Sequence, residues 1–119
     1  MSYVHNNKNP VILKNDPIDP GDTDWIYFSY ENWLRNGETI TLHSATVDGG
    51  LLVTDSTYLG NMEDTEGITH SEVYGVQFTA GNEIGELVTI KHRKLTQTSG
   101  DVDLGRNIEH SAVLTVKML

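Results

Sequence analysis

Hydrophobic and polar positions alternate with a period of two along most of this chain. Between Asp24 and Tyr30, Trp25, Tyr27 and Ser29 face one way while Ile26, Phe28 and Tyr30 face the other. From Glu38, Ile40 and Leu42 oppose Thr39, Thr41 and His43. Leu51, Leu52 and Val53 begin a further short strand, and Tyr74, Val76 and Phe78 alternate with Gly75 and Gln77. Val88 and Ile90 share a face, and Leu95 falls one residue out of that phase, which predicts a bulge or a strand end. The last strand is the best patterned, with Ala112, Leu114, Val116 and Met118 set against Val113, Thr115 and Lys117. VILK at residues 11–14 predicts a short first strand.

Turn chemistry punctuates these runs. NDPIDPGDTD at residues 15–24 carries two Asp-Pro steps and a Pro-Gly, and Asn36-Gly37, Asp48-Gly49-Gly50 and Ala80-Gly81-Asn82 follow. GNMEDTEG at residues 60–67 reads as an acidic loop. Glu31 to Leu34 is too short for a self-supporting helix but fits a helical turn that plugs one end of a sheet. About seven strands of roughly 4 to 10 residues result, at the turn spacing of all-β domains. The predicted fold is an all-β, immunoglobulin-like antiparallel β-sandwich with an N-terminal arm. The arm spans residues 1–14 and the sandwich domain residues 15–119. The Cys-Trp-Cys arrangement of antibody domains is absent.

Composition narrows the function classes. A chain of 119 residues is one domain by default, large enough for one core. Its net charge of −9 repels phosphate backbones, so no nucleic-acid partner is expected. The one basic cluster, Lys91-His92-Arg93-Lys94, alternates along a strand and divides between two faces. With no cysteine, disulfides and thiolate metal sites are excluded. MSYVHNNKNPVILKND shows neither an apolar h-region nor a small-residue cleavage site, and no run nears the roughly 18 apolar residues of a membrane span. A soluble chain that stays in the cytoplasm where it is made, with no membrane partner, is the simplest expectation.

Candidate chemistry is sparse. Asp16, Asp19, Asp22 and Asp24 resemble an oxygen-rich calcium loop, but the spacing lacks the EF-hand pattern, and Asp and Pro are ordinary turn formers. None of the five histidines is paired at short spacing, although His43 and His92 lie on strands that can be neighbours. Ser71 beside His70 and Ser111 beside His110 point to opposite faces of their strands. No G-x-S-x-G, phosphate loop or carboxylate pair across a cleft is apparent. No catalytic residue, metal or cofactor is therefore expected, and the chain reads as a non-enzyme. Trp25, Tyr27, Phe28, Tyr30 and Trp33 are either core or a face that stacks on sugars or anchors a protein. The core reading puts Trp25 or its neighbours, with Trp33 and Leu34, against Ile40 and the C-terminal strand. Glu63, Asp64 and Glu66 suit a solvated loop or a rim for a partner's basic patch.

Three segments taken in order carry a family resemblance. FSYENWLRNGETI resembles an F-x-W-x-x-WL-x-x-G-D-T-I pattern, with Tyr30 in place of its first Trp and Glu38 in place of its Asp. VYGVQFTAGNEIGELVTIKHRKLTQTSG is similar to a V-x-F/W-x-x-GG-x-x-G-x-x-Y-x-V stretch that ends in T-x-x-G, and GRNIEHSAVLTVKM resembles a final G-R-x-x-x-x-S-x-x-L-x-V strand. KNDPID resembles the lead-in K-D-P-x-x, with Asn15 inserted. Over residues 14–118 the chain thus resembles the fiber-tail adaptors of tailed bacteriophages, small immunoglobulin-like virion proteins. That resemblance implies a structural protein of the tail or neck, copies of itself in a ring, and tail tube, connector or fiber proteins as partners. It implies no catalysis. The arm suits strand addition to a neighbour's open sheet edge, so Tyr3, Val4, Val11, Ile12 and Leu13 are the expected partner contacts. A capsid decoration or head-tail joining protein, or a carbohydrate- or host-surface-binding module, are the alternatives.

Overall fold

The computed structural model describes residues 10–13, 18–98 and 105–117. Seven strands form it: β1 (Val11–Leu13), β2 (Thr23–Ser29), β3 (Glu38–Asp48), β4 (Gly50–Glu63), β5 (Thr69–Ala80), β6 (Leu87–Thr98) and β7 (Asn107–Thr115). They pair antiparallel into a four-stranded sheet of order β1-β2-β5-β4 and a three-stranded sheet of order β3-β6-β7. This is the strand order of constant-type immunoglobulin domains. A parallel bridge, Ile18 to Val116, ties the lead-in of β2 to the opposite sheet.

Alternation sets the core. Ile26, Phe28 and Tyr30 from β2 and its exit meet Val76 and Phe78 of β5, and Val88, Ile90, Ala112 and Leu114 close from the other sheet. Trp25 lies on the outer face of β2 and is only partly buried, so the buried tryptophan is Trp33, 5% exposed. The turn after Tyr30 is the predicted plug. The Trp33 and Leu34 N–H groups both donate to the Tyr30 carbonyl, at 3.0 and 2.9 Å, and the indole closes one end of the sandwich.

Three strand readings need correction. β4 is not short: it runs 14 residues through Glu63, so the acidic loop shrinks to the tip between Asp64 and Ile68. β6 has no bulge at Leu95, and alternation continues through Thr98, because its inner positions His92, Lys94, Thr96 and Thr98 are polar yet buried. The bulge lies on β3 between Ile40 and Leu42, which turns Leu42 outward opposite Leu95 and His43 inward. Of the arm, residues 10–13 are described. Val11, Ile12 and Leu13 pair with Ser29, Phe28 and Tyr27 of the same chain, while Tyr3 and Val4 lie outside the described residues.

The step from β3 to β4 carries the chain from one sheet to the other. A Cβ on Gly49 would sit 2.1 Å from the Leu87 carbonyl oxygen, and one on Gly50 would sit 2.3 Å from that of Thr79. Only glycine passes between these two backbones, and Gly49 adopts φ +80°.

Candidate functional site

Trp25 and Tyr27 stand side by side on the outer face of the four-stranded sheet. Their ring centroids are 6.2 Å apart and their planes differ by 2°. The indole settles over Gly75 of β5, where a Cβ would come within 3.2 Å of Trp25 Cε3 and 3.0 Å of Leu59 Cδ1. Glycine therefore lets the ring lie on the sheet backbone, and Leu59 supports it from the side.

A groove of about 420 Å³ opens beside this pair. Ile12 and Leu13 of β1 line it together with Asp24, and the hairpin tip brings Met62, Glu63, Asp64, Thr65 and Glu66 to it. The tip is built by Asp64. Its Oδ1 accepts the N–H groups of Glu66 and Ile68 at 2.8 and 3.0 Å, and its Oδ2 lies 2.9 Å from His70 Nε2. His70 and then the Ile68 N–H hold the Asp64 carboxyl below its usual range. Asp24 Oδ1 accepts the Trp25 N–H at 2.7 Å, which fixes that carboxylate beside the rings. Tyr27's phenol is pushed up by burial first and by the Asp24 charge second. Among the described residues no lysine or arginine pairs with Asp24, Glu63 or Glu66.

Three residues of the expected contact set thus form β1, and Ile12 and Leu13 reach the groove. The acidic rim and the aromatic face, two separate readings of the sequence, converge on one place. The calcium reading does not gather: Asp16 lies outside the described residues, and among those described no His, Asp and Glu form a metal-holding group.

A second constellation lies inside the sandwich. Tyr30 Oη is 2.5 Å from His92 Nδ1, His92 Nε2 is 2.5 Å from Ser56 Oγ, and Ser56 Oγ is 2.8 Å from His43 Nδ1. His43 and His92 are indeed neighbours, joined through Ser56 rather than by direct pairing. The order serine, histidine, tyrosine has the outline of a nucleophile with its base and orienter. Its chemistry differs. His92 is fully buried, and burial first, then Lys94, push its pKa down to about 3. That shift disfavours the protonated imidazole, and Ser56 Oγ is shared with His43 Nδ1 as well. The chain is a set of satisfied internal hydrogen bonds.

Lys94 sits beside it at 1% exposure, with Nζ 2.5 Å from His110 Nδ1 and 3.3 Å from the His92 carbonyl oxygen. Its ammonium also lies 4.5 Å from the Tyr30 ring centroid and 5.0 Å from that of Trp33. Burial, and next the Arg106 charge, lower the Lys94 pKa to about 7, and burial with Lys94 lowers His110 to about 4. At the same end Arg106 clamps Trp33 and Glu38. Its guanidinium is 3.8 Å from the indole centroid, its Nε donates to Glu38 Oε2 at 2.8 Å, and its Nη2 donates to Glu38 Oε1 and to the Trp33 carbonyl. Thr96 Oγ1 donates to the same carboxylate at 2.5 Å. Burial pushes Glu38 up, but the Arg106, Arg35 and Thr96 hydrogen bonds outweigh it and hold the carboxyl below its usual range.

Sequence reading placed His43 and His92 on strands that can be neighbours but missed the rest of this interior cluster, whose partners come from the exit of β2 and from β3, β4, β6 and β7. The other available signal was the polar run in β6, which interrupts an otherwise apolar face. No family model matches the chain, and no curated protein or solved structure matches it either.

Proposed function

We propose that this chain is a structural adaptor of a tailed-phage virion, seated in the tail or neck and joining the tail or connector to fibers or other appendages. The observation that carries the reading is where the resembling segments meet. Trp33 and Glu38 come from the first, Thr96 from the second and Arg106 from the third, and all four close one end of the sandwich in a single cluster. One residue or more of each resembling segment thus takes part in a single clamp, which gives the three segments a shared structural role. The immunoglobulin strand order fits the same reading, as does an open groove beside the N-terminal edge strand. The function so read is mechanical, with the groove as the docking face.

Quantitative peptide mass spectrometry on purified particles of the phage that encodes the chain tests this. About six to twelve copies per particle are expected of a ring component in a symmetric tail or neck. Hundreds of copies would make it a decoration protein, and absence from particles would overturn the virion reading.

One observation favours a second reading. The near-parallel, partly exposed Trp25–Tyr27 pair supplies aromatic faces of the kind on which sugars stack, as in a carbohydrate- or host-surface-binding module. Glycan titration of the isolated chain addresses it.

A further inference from the structure

We propose that the groove beside Trp25 and Tyr27 receives an arginine side chain carried by an extended segment of a partner protein. The inference deepens the adaptor reading by giving the chemistry of its docking face.

Three features of the site converge on that occupant. The first is the pair of near-parallel aromatic rings, which offers a π-face to a planar cation. The second is charge. Asp24, Glu63 and Glu66 line the groove, and among the described residues no basic side chain neutralises them. Asp64 is different, since His70 and two backbone N–H groups already hold it, and its part is to shape the tip. Guanidinium satisfies both features at once, because it stacks on a ring through its face and forks to carboxylates through its edge. A lysine ammonium has no plane to stack. A neutral sugar gains the rings but leaves the carboxylates without a counter-charge.

The third feature is backbone. β1 is the edge of its sheet and, among the described residues, has a strand on one side only. Its outer N–H and C=O groups can take a further strand, and Ile12, 41% exposed, lies along that edge. An extended segment paired there projects alternate side chains toward the groove, which Ile12 and Leu13 themselves line. Main-chain pairing supplies affinity and the groove selects the side chain.

The test uses the whole chain and two blocked pentapeptides. One alternates threonine and arginine, and its twin carries uncharged citrulline in place of arginine. The Trp25 indole N–H resonance is the readout, with the buried Trp33 indole as internal reference. The arginine peptide is expected to shift Trp25 saturably, and the twin to bind at least about tenfold more weakly. Glu63→Gln with Glu66→Gln is expected to weaken binding about fivefold to tenfold, as two exposed charged contacts would. Glu83→Gln, an exposed carboxylate outside the groove, removes one charge and is expected to leave binding unchanged.

Equal binding of the citrulline twin would overturn the proposal. So would equal weakening by Glu83→Gln, since bulk negative charge would then be the only attraction. A shift of Trp25 by maltoheptaose with none from the arginine peptide would assign the groove to glycans instead. Copy number on particles is measured separately, so either proposal can fail without the other.

Discussion

Trp33 sits 5% exposed among Tyr30, His110, Lys94 and Arg106, whereas Trp25 keeps part of its indole in solvent. The two differ accordingly in what their removal costs. Trp33→Ala opens a cavity under the plug and strips the Arg106 and Lys94 cations of their ring, and a loss of about 3–5 kcal/mol is expected. Trp25→Ala uncovers Gly75 and Leu59 on an outer face and is expected to cost about 1 kcal/mol or less. Urea unfolding of the two variants measures both, and equal losses would contradict the assignment. The sequence separated Trp25 from Ile26 by alternation, yet alternation does not say which face is inner. That depends on Gly75, which has no side chain with which to declare a packing surface, and on Tyr30, whose hydroxyl finds His92 only in three dimensions.

At the scale of the element, β6 is the strand whose sequence misleads and whose structure explains why. Its inner face begins with Val88 and Ile90 and continues with His92, Lys94, Thr96 and Thr98, all buried. A hydrophobicity pattern reads that change as a phase slip. His92 instead finds Tyr30 and Ser56 across the sandwich, while Lys94 and Thr96 find His110 and Glu38 on the neighbouring strands of their own sheet; Thr98 Oγ1 has no partner among the described residues. The well-patterned strands, β2, β5 and β7, were legible because their inner positions are apolar. Burying Lys94 without a carboxylate partner sets a sign for pH. Folding holds Lys94 near 7 against an ordinary 10.5, and holds His110 and His92 near 4 and 3 against 6.5. The unfolded chain therefore binds more protons in each interval, and stability falls as pH drops from about 10.5 to 7 and again from about 6.5 to 3. Lys94→Met keeps the stem's volume and removes the charge. It is expected to raise stability at neutral pH by about 1 kcal/mol or more and to flatten the upper interval. Thermal melts across that range read it, and an unchanged slope between pH 7 and 10.5 would contradict the account.

For the whole molecule, the described residues extend 52 × 29 × 21 Å, elongated by the long β4–β5 hairpin. Fold class and strand count were legible from alternation and turn chemistry. Sheet order was not, since pairing depends on contacts far apart in sequence. The groove was legible only in pieces. Its aromatics and Asp24 lie on β2, its other acids at the β4–β5 tip and its edge on β1, and nothing in the linear order joins all three. The other sheet offers a contrasting outer surface, where Leu42, Leu95 and Val113 are exposed and Lys91 and Arg93 are paired with Asp48 and Glu109. Two faces of opposite character let a docking claim be tested by position.

Site-directed photocrosslinking, in the particles that the adaptor proposal names, does this most directly, because the chain has no cysteine of its own. Thr65→Cys places a label in the groove and Ser111→Cys places one on the outer face of the three-stranded sheet. On the adaptor proposal, adducts from Thr65→Cys to an arginine-bearing segment of a partner protein, with none from Ser111→Cys, are the predicted result. Adducts from Ser111→Cys alone would contradict the groove as the docking face.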